Sequence, residues 1–159
     1  MILGVSPTKG AVVIAHTAGS GQTFAIKSIT SIQFEAATGE DLTKLLQRLV
    51  VIFERAGKRR GSTIALLASS SGRFKSSVEA IKAEAITELA AAESGLPIIR
   101  VTVASLKKAL GCAKGQKWQA CAAEQFNPIG RFENWSQGAA GATAAALKVD
   151  GGPRPQEVI

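Results

Sequence analysis

The stretch Ile2-Leu3-Gly4-Val5-Ser6-Pro7, near the start of the chain, decides the fold. It is a short apolar run that ends in a polar residue, and the turn residues Thr8-Lys9-Gly10 separate it from the β-branched run Val12-Val13-Ile14. This pattern predicts a strand, a tight turn and a return strand. Many α/β enzymes keep a carboxylate at the end of such a strand. Here that position is Ser6.

Length and composition predict one globular domain. The chain has 159 residues, of which 46% are apolar, and this is enough to bury a core. No apolar run approaches the roughly 20 residues of a membrane helix, and the start lacks the layout of a signal peptide. We therefore expect a cytoplasmic protein with no membrane partner. Cys112 and Cys121 lack the spacing of a metal or disulfide motif, so we expect free thiols.

The net charge of +7 favours an anionic partner, and nucleic acid is the commonest one. The cations are unevenly placed. No acidic residue lies between Glu93 and Glu124, an interval that contains Arg100, Lys107, Lys108, Lys114 and Lys117. A second cluster is Arg55, Lys58, Arg59 and Arg60. Solvated helix faces explain the first group equally well, and cations that complement a helix dipole explain the second.

The rest of the chain predicts strands that alternate with helices. Residues 23–34 have a two-residue period with one slip between Ile26 and Ile29, which indicates a third strand with a bulge. A helix begins near Thr38 and ends at Gly57, and the apolar run 62–68 is typical of a central strand between parallel neighbours. A helix through Val78, a strand over 96–103 and helices over 104–110, 115–126 and 136–148 complete the order.

Three segments carry further expectations. The serine-rich loop 69–77 contains Arg73 and Lys75 before a helix start, which suits a backbone phosphate, although a capped and solvated connection is the alternative. Alanine and glycine dominate 136–148 and imply close packing of that helix. We expect residues 1–149 to form one domain and residues 150–159 to form a disordered tail. His16 is the only histidine, and a strand-end histidine without a special role is the default interpretation.

The predicted order resembles the ribonuclease-H-like fold in its RuvC-like, Holliday-junction-resolvase branch. Gly4-Val5-Ser6-Pro7 is similar to the motif G-[IV]-D-P-G of the first strand of that family, and the helix that begins at Gln137-Gly138 is similar to its closing helix. The stretch 97–110 resembles its fifth strand and following helix, and small bacterial proteins with the same layout share the Gly72-Arg73-Phe74 loop. The resemblance implies an α/β fold with a mixed five-stranded sheet, order 3-2-1-4-5 with strand 2 antiparallel, flanked by helices, and a homodimer.

The sequence departs from the family at the positions of its metal-binding acids. Enzymes of this fold bind two Mg²⁺ ions with clustered carboxylates, because Mg²⁺ prefers hard oxygen ligands. The resemblance places these acids at Ser6, at Leu67 (or at Ser69 in a shifted alignment), and at Gly138 and Gly141, none of which is acidic. We therefore expect no catalytic residue, no metal site and no cofactor, with Mg²⁺ only if Glu79, Glu84 or Glu133 rebuild a relocated acidic site.

The sequence is compatible with three functions. The first is a catalytically degenerate RuvC-like domain that acts by binding nucleic acid. The second is a protein-interaction or structural module that forms a homodimer, and the third is a divergent metal-dependent nuclease with relocated carboxylates. Trp118 and Trp135 are candidates for base stacking, although a tryptophan is more commonly buried. For the first hypothesis the predicted nucleic-acid-binding residues are Lys9, Arg73, Lys75, Lys107, Lys108, Lys114 and Lys117.

Overall fold

The structure is a computed structural model that describes residues 1–68, 77–132, 135 and 137–151. Five strands form one sheet in the order β3-β2-β1-β4-β5. β2 is antiparallel to β1 and β3, and β4 is parallel to β1 and β5. The predicted mixed sheet is therefore confirmed. The strands are β1 (Ile2–Pro7), β2 (Ala11–Ala18), β3 (Ala25–Gln33), β4 (Thr63–Leu67) and β5 (Ile98–Val101).

Within the described residues, five α-helices cover the two faces of this sheet. They are α1 (Gly39–Gly57), α2 (Val78–Glu93), α3 (Val103–Leu110), α4 (Trp118–Phe126) and α5 (Gln137–Asp150). Because successive strand residues point to opposite faces, β1 contributes Leu3 and Val5 to the core beneath α1 and α2. Gly4 lies on the other face, beneath α5. The sheet is thus a central layer with a helical layer on each side.

The start of α1 follows directly from its sequence. The backbone N–H of Asp41 donates to the Thr38 hydroxyl at 3.1 Å, and the Asp41 carboxylate accepts from the Thr38 N–H at 3.0 Å. This reciprocal capping box satisfies two amides that the helix cannot pair internally. Leu45, Leu49 and Phe53 then follow at helical spacing and are buried, so one stripe of α1 covers the sheet.

The bulge predicted from the slip between Ile26 and Ile29 is present in β3. Thr17 pairs with Ile26, but His16 pairs with Ser28, so Lys27 is the extra residue. Such an insertion bends the strand locally and re-aims a side chain. It lies at what we call the amino edge of the sheet, where β1, β4 and β5 begin and β2 ends. The carboxyl edge is the opposite one, where β1, β4 and β5 end.

Helix α5 is enclosed on all sides. Every residue from 138 to 147 is buried, because the helix lies between the sheet and the pair formed by α3 and α4. Eight of these ten residues are alanine or glycine, and small residues permit the close approach that the sequence predicted. At Gly4 of β1, an added Cβ would overlap the carbonyl oxygen of Ala142. Helix and strand therefore meet backbone to backbone.

Some predicted boundaries differ from the structure. The helix expected from Gly115 begins at Trp118, because Gly115 has a φ of +82° in a turn. The predicted tail includes Asp150, but this residue ends α5 and its carboxylate accepts from the N–H of Gly21 at 3.0 Å. Residues 152–159 lie outside the described residues. Within the described part of the chain, no helix has the length and apolar character needed to cross a membrane.

The contact between β1 and α5 can be tested with two glycine substitutions. Gly4→Ala places a methyl group against the backbone of Ala142, so we expect it to lower the free energy of unfolding by about 3 kcal/mol or more. Gly10→Ala is the matched control, because no atom lies within 4 Å of its added Cβ. There we expect no loss, or a gain of up to about 1 kcal/mol from reduced freedom of the unfolded chain. Urea unfolding of both variants measures the difference.

Candidate functional site at the carboxyl edge

The four positions where the family resemblance places acids lie close together at the carboxyl edge. Val5 of β1 pairs with Leu66 of β4, so Ser6 and Leu67 are the next residues of neighbouring strands. Gly141 of α5 lies directly against both side chains, and Gly138 lies one helical turn earlier. Ser6 is only 4% exposed. The family resemblance indicates these positions, and the structure brings them together.

No room is left for side chains between α5 and the strands at this edge. A Cβ on Gly141 would lie 2.7 Å from the Ser6 Oγ and 2.8 Å from the Leu67 Cδ2. A Cβ on Gly138 would lie 2.5 Å from the Val13 Cγ2. These distances are shorter than van der Waals contact between carbon atoms, which is about 3.5–4 Å. The edge is therefore closed by direct packing of the helix on the sheet.

The described residues around this edge do not suit Mg²⁺. A two-metal site needs several carboxylate oxygens around each ion. No group of three or more histidine, cysteine, aspartate or glutamate side chains converges anywhere in residues 1–68, 77–132, 135 or 137–151. The groups that do meet at this edge are a hydroxyl, an aliphatic side chain and helix backbone. They cannot neutralise a pair of divalent ions.

The candidate relocated acids are not assembled there. Glu84 is 5% exposed and forms an ion pair with Arg100 of β5, which also bonds Glu88. This network ties α2 to β5 on the face of the sheet opposite α5. Glu79 lies in the first turn of α2, where a negative charge interacts favourably with the helix dipole. Glu133 lies outside the described residues.

The predicted nucleic-acid-binding residues fall in two regions. Lys9 is exposed in the turn between β1 and β2, at the carboxyl edge near Ser6. Arg73 and Lys75 lie outside the described residues. The other four occupy α3, α4 and their connection, which we call the α3–α4 basic surface. It consists of Lys107 and Lys108 in the last turn of α3, Lys114 in the connection, and Lys117 at the N-cap of α4.

The α3–α4 basic surface is separate from the carboxyl edge. Helix α3 begins just after β5 at that edge, and it ends at Leu110, which lines the same groove as Phe24 at the start of β3. Its last-turn lysines therefore lie towards the amino edge. All four lysines are exposed, and none forms an ion pair with any described residue. Their charges are available to an external anion.

The tryptophans and cysteines of this region contribute mainly to the core. Trp118 and Trp135 are half-buried against the hydrophobic cluster that includes α5, and the Trp135 ring centroid lies 6.4 Å from that of Phe132. Both cysteines are free thiols, as predicted. Burial raises the pKa of Cys121 to about 12, and a hydrogen bond with Cys112 adds to the shift. Cys121 therefore stays protonated and is a poor nucleophile at neutral pH.

One element of the site was missed by the sequence interpretation. The contact of Gly4 with Ala142 sets how closely α5 approaches β1, yet Gly4 was used only as part of a motif. A glycine inside a strand often marks a close approach of another backbone, so the position of Gly4 within β1 is the sequence signal for this contact. The partner of that contact lies 138 residues further along the chain, and local patterns do not reveal it.

Comparison with solved structures identifies the fold. RuvC of Thermus thermophilus in complex with a Holliday junction substrate superposes with a TM-score of 0.69 and 16% sequence identity, over 92% of this chain and 89% of that chain. A second structure of Thermus thermophilus RuvC gives a TM-score of 0.68 and 16% identity, over 92% and 90%. This chain has the RuvC-like form of the ribonuclease-H-like fold. No protein-family model and no curated protein matches its sequence.

The RuvC-like resemblance inferred from the order of elements is thus confirmed for the fold. The small-residue helix α5 packs closely on β1, and the sheet has the expected strand order. At 16% identity the likeness speaks for the fold alone. What the protein does must be argued from its own residues.

The closed contact at Ser6 predicts a thermodynamic coupling. Gly141→Ala introduces a methyl group 2.7 Å from the Ser6 Oγ, and we expect it to cost about 1–3 kcal/mol. In an unconstrained helix the same change stabilises by up to about 1 kcal/mol. Ser6→Ala removes the overlapping oxygen, so the double variant should recover about 0.5–2 kcal/mol relative to the sum of the single changes. A double-mutant cycle by urea unfolding measures this, and strict additivity would show that the two residues do not touch.

Proposed function

We propose that this protein is a RuvC-like domain that binds nucleic acid without cleaving it. The observation that carries this proposal is the closed carboxyl edge. There α5 rests directly on Ser6 and Leu67, with no acid at Gly138 or Gly141 and no space for a side chain. Cleavage of a phosphodiester by two metal ions needs carboxylates and an open site at one place. The described residues supply neither.

Three features support nucleic acid as the ligand. The net charge is +7, and the α3–α4 basic surface exposes four lysines that have no acidic partner among the described residues. The Thermus thermophilus RuvC structure, which shares the fold, contains a Holliday junction substrate. Exposed lysines neutralise phosphates without reading sequence. We therefore propose that binding depends on the charge of the nucleic-acid phosphate backbone. We also propose that the protein is located in the cytoplasm.

The salt dependence of binding tests the basic surface. The double variant Lys107→Gln/Lys108→Gln should lower the slope of log K against log salt by up to about 2, because each lost phosphate contact removes nearly one released counterion. The measurement is fluorescence anisotropy with labelled duplex, four-way junction and single strand over a range of salt concentrations. Absence of binding by the wild-type protein to all three at low salt would refute the proposal.

A charge-matched control separates local contact from net charge. Lys44→Gln/Lys148→Gln also removes two exposed lysines, one on α1 and one at the end of α5, outside the α3–α4 basic surface. We expect it to leave the slope unchanged within about 0.5. The same DNA incubated with Mg²⁺ or Mn²⁺ should remain intact. Metal-dependent cleavage that survives purification would instead support the relocated-carboxylate nuclease.

A second function is favoured by the outer face of α2. Val78, Ile81 and Leu89 are 64%, 49% and 46% exposed, and with the exposed Ala85 they follow helical spacing on one side of the helix. An apolar stripe of this kind is typical of a protein–protein contact. It supports the homodimeric interaction module as the alternative function, and it is compatible with nucleic-acid binding on another face.

Light scattering at several protein concentrations tests the dimer. If α2 forms the contact, Ile81→Asp should convert the dimer to a monomer, because a charge would be buried in an apolar interface. Val51→Asp is the control, since Val51 is equally exposed, at 49%, but lies on α1. A concentration of about 100 μM is on the order of the dissociation constant of a weak dimer. If the wild-type protein is still monomeric there, the hypothesis of a homodimeric interaction module is wrong.

A further inference from the structure

A second cationic site lies at the amino edge, far from Ser6. An open groove of about 660 Å³ is lined there by Met1, by residues of β2, β3 and α1, and by Arg59 just after α1. Its polar and charged lining comprises His16, Thr17, Lys27, Thr30, Arg55 and Arg59. The Thr17 hydroxyl is already hydrogen-bonded within the protein, because it accepts from the N–H of Ile2 and donates to the carbonyl of Ile2. The other five are the groups available to a ligand.

The groove collects positive charge without any compensating acid. Lys27, Arg55 and Arg59 are exposed, and none of them forms an ion pair with a described residue. No aspartate or glutamate lines the groove. Arginine side chains offer several donors in a fixed plane, a geometry that matches the oxygens of a phosphate or sulfate. Two arginines and a lysine around one concavity therefore favour a compact dianion.

The backbone of β3 contributes to this arrangement. Lys27 is the bulge residue opposite the step from His16 to Thr17, and the bulge brings it into the same groove as His16 and Thr30. The His16 Nε2 lies 3.0 Å from the Thr30 Oγ1, which holds the imidazole in place. β-Bulges are over-represented at sheet edges and next to active sites, where they re-aim a side chain. Without the bulge, the register would carry Lys27 to the other face of the strand.

We propose that this groove is a separate anion site that binds the phosphate group of a phosphorylated ligand. Arg55 and Arg59 contact the phosphate oxygens, Lys27 adds a third positive charge, and the His16–Thr30 pair forms the floor. His16 pairs with Leu3, whose side chain packs on the α1 side of the sheet. Ser6 lies three residues further along β1, about 10 Å away, and its side chain faces α5, so the groove is distinct from the carboxyl edge. The proposal does not depend on nucleic-acid binding at the α3–α4 basic surface.

Sulfate is the sharpest probe, because its charge does not change between pH 5.5 and 8. We expect saturable binding by isothermal calorimetry or by NMR shifts of residues around the groove. Arg55→Gln/Arg59→Gln should weaken it by about tenfold or more, the effect expected from losing charge-assisted hydrogen bonds of roughly 1.4 kcal/mol in total. Lys58→Gln/Arg60→Gln is the matched control, since both residues belong to the same cluster at the end of α1 but neither lines the groove. It should change the affinity by less than about twofold.

The pH dependence provides an independent readout. Burial lowers the pKa of His16 below its usual value of 6.5, so the free imidazole is neutral at pH 7. The charged groups that line the groove with it are Lys27 of β3, Arg55 of α1 and Arg59 just after α1. A bound anion favours protonated His16, so sulfate affinity should rise as the pH falls from 8 to 5.5. His16→Gln should flatten that rise.

Competition distinguishes the two sources of a phosphate group. Displacement of sulfate by a mononucleotide supports a small phosphorylated ligand, and displacement only by a 5′-phosphorylated oligonucleotide supports a strand end. Equal weakening by the control pair and the groove pair would show a diffuse positive surface and overturn the site. The site would also be overturned if sulfate showed no saturable binding up to about 10 mM, which corresponds to a binding free energy of roughly 3 kcal/mol.

Discussion

The backbone contact between β1 and α5 is the constraint on which the rest of this structure depends. At Gly4 the strand leaves no volume for a side chain, and the carbonyl of Ala142 occupies that space. This contact fixes how deeply the helix enters the fold. Because α3 and α4 lie over the outer side of α5, their position follows from it as well. A helix this close to a sheet needs small residues where it faces the strands, and Gly138, Gly141 and Ala142 lie at those contacts.

The same contact explains why the carboxyl edge does not resemble a metal site. Carboxylates gathered around two ions keep a helix at a distance from the strand ends, because the ions and their ligands occupy volume. With Ser6 and Gly141 in contact, that volume is filled by protein atoms. Restoring a single acid would bury a charge without a partner, at a cost of several kcal/mol. Close packing and the missing acids are therefore two aspects of one arrangement.

Most of the fold could be predicted from local patterns, and the contents of the sites could not. The capping box at Thr38, the central strand before Leu67 and the bulge after Ile26 each leave a sequence signal within a few residues. The order of elements then limits the topology to few choices. Whether Lys9 and Lys107 share a surface depends on where α3 ends relative to β3, and that requires contacts between residues distant in sequence. The groove at the amino edge was missed for the same reason, because His16 and Arg55 are 39 positions apart.

The acidic and basic side chains of the described residues are used in different ways. The described acids with a structural role are used internally: Asp41 caps α1, Asp150 holds Gly21, and Glu84 and Glu88 bind Arg100. The lysines of the α3–α4 basic surface and the cations of the amino-edge groove have no such partners among the described residues. Unpaired like charges repel one another and cost stability unless they meet an external anion. The lysines of the α3–α4 basic surface and the cations of the amino-edge groove therefore lie away from the closed carboxyl edge, where Lys9 is exposed and where a fold of this type would need negative charge to hold metal ions.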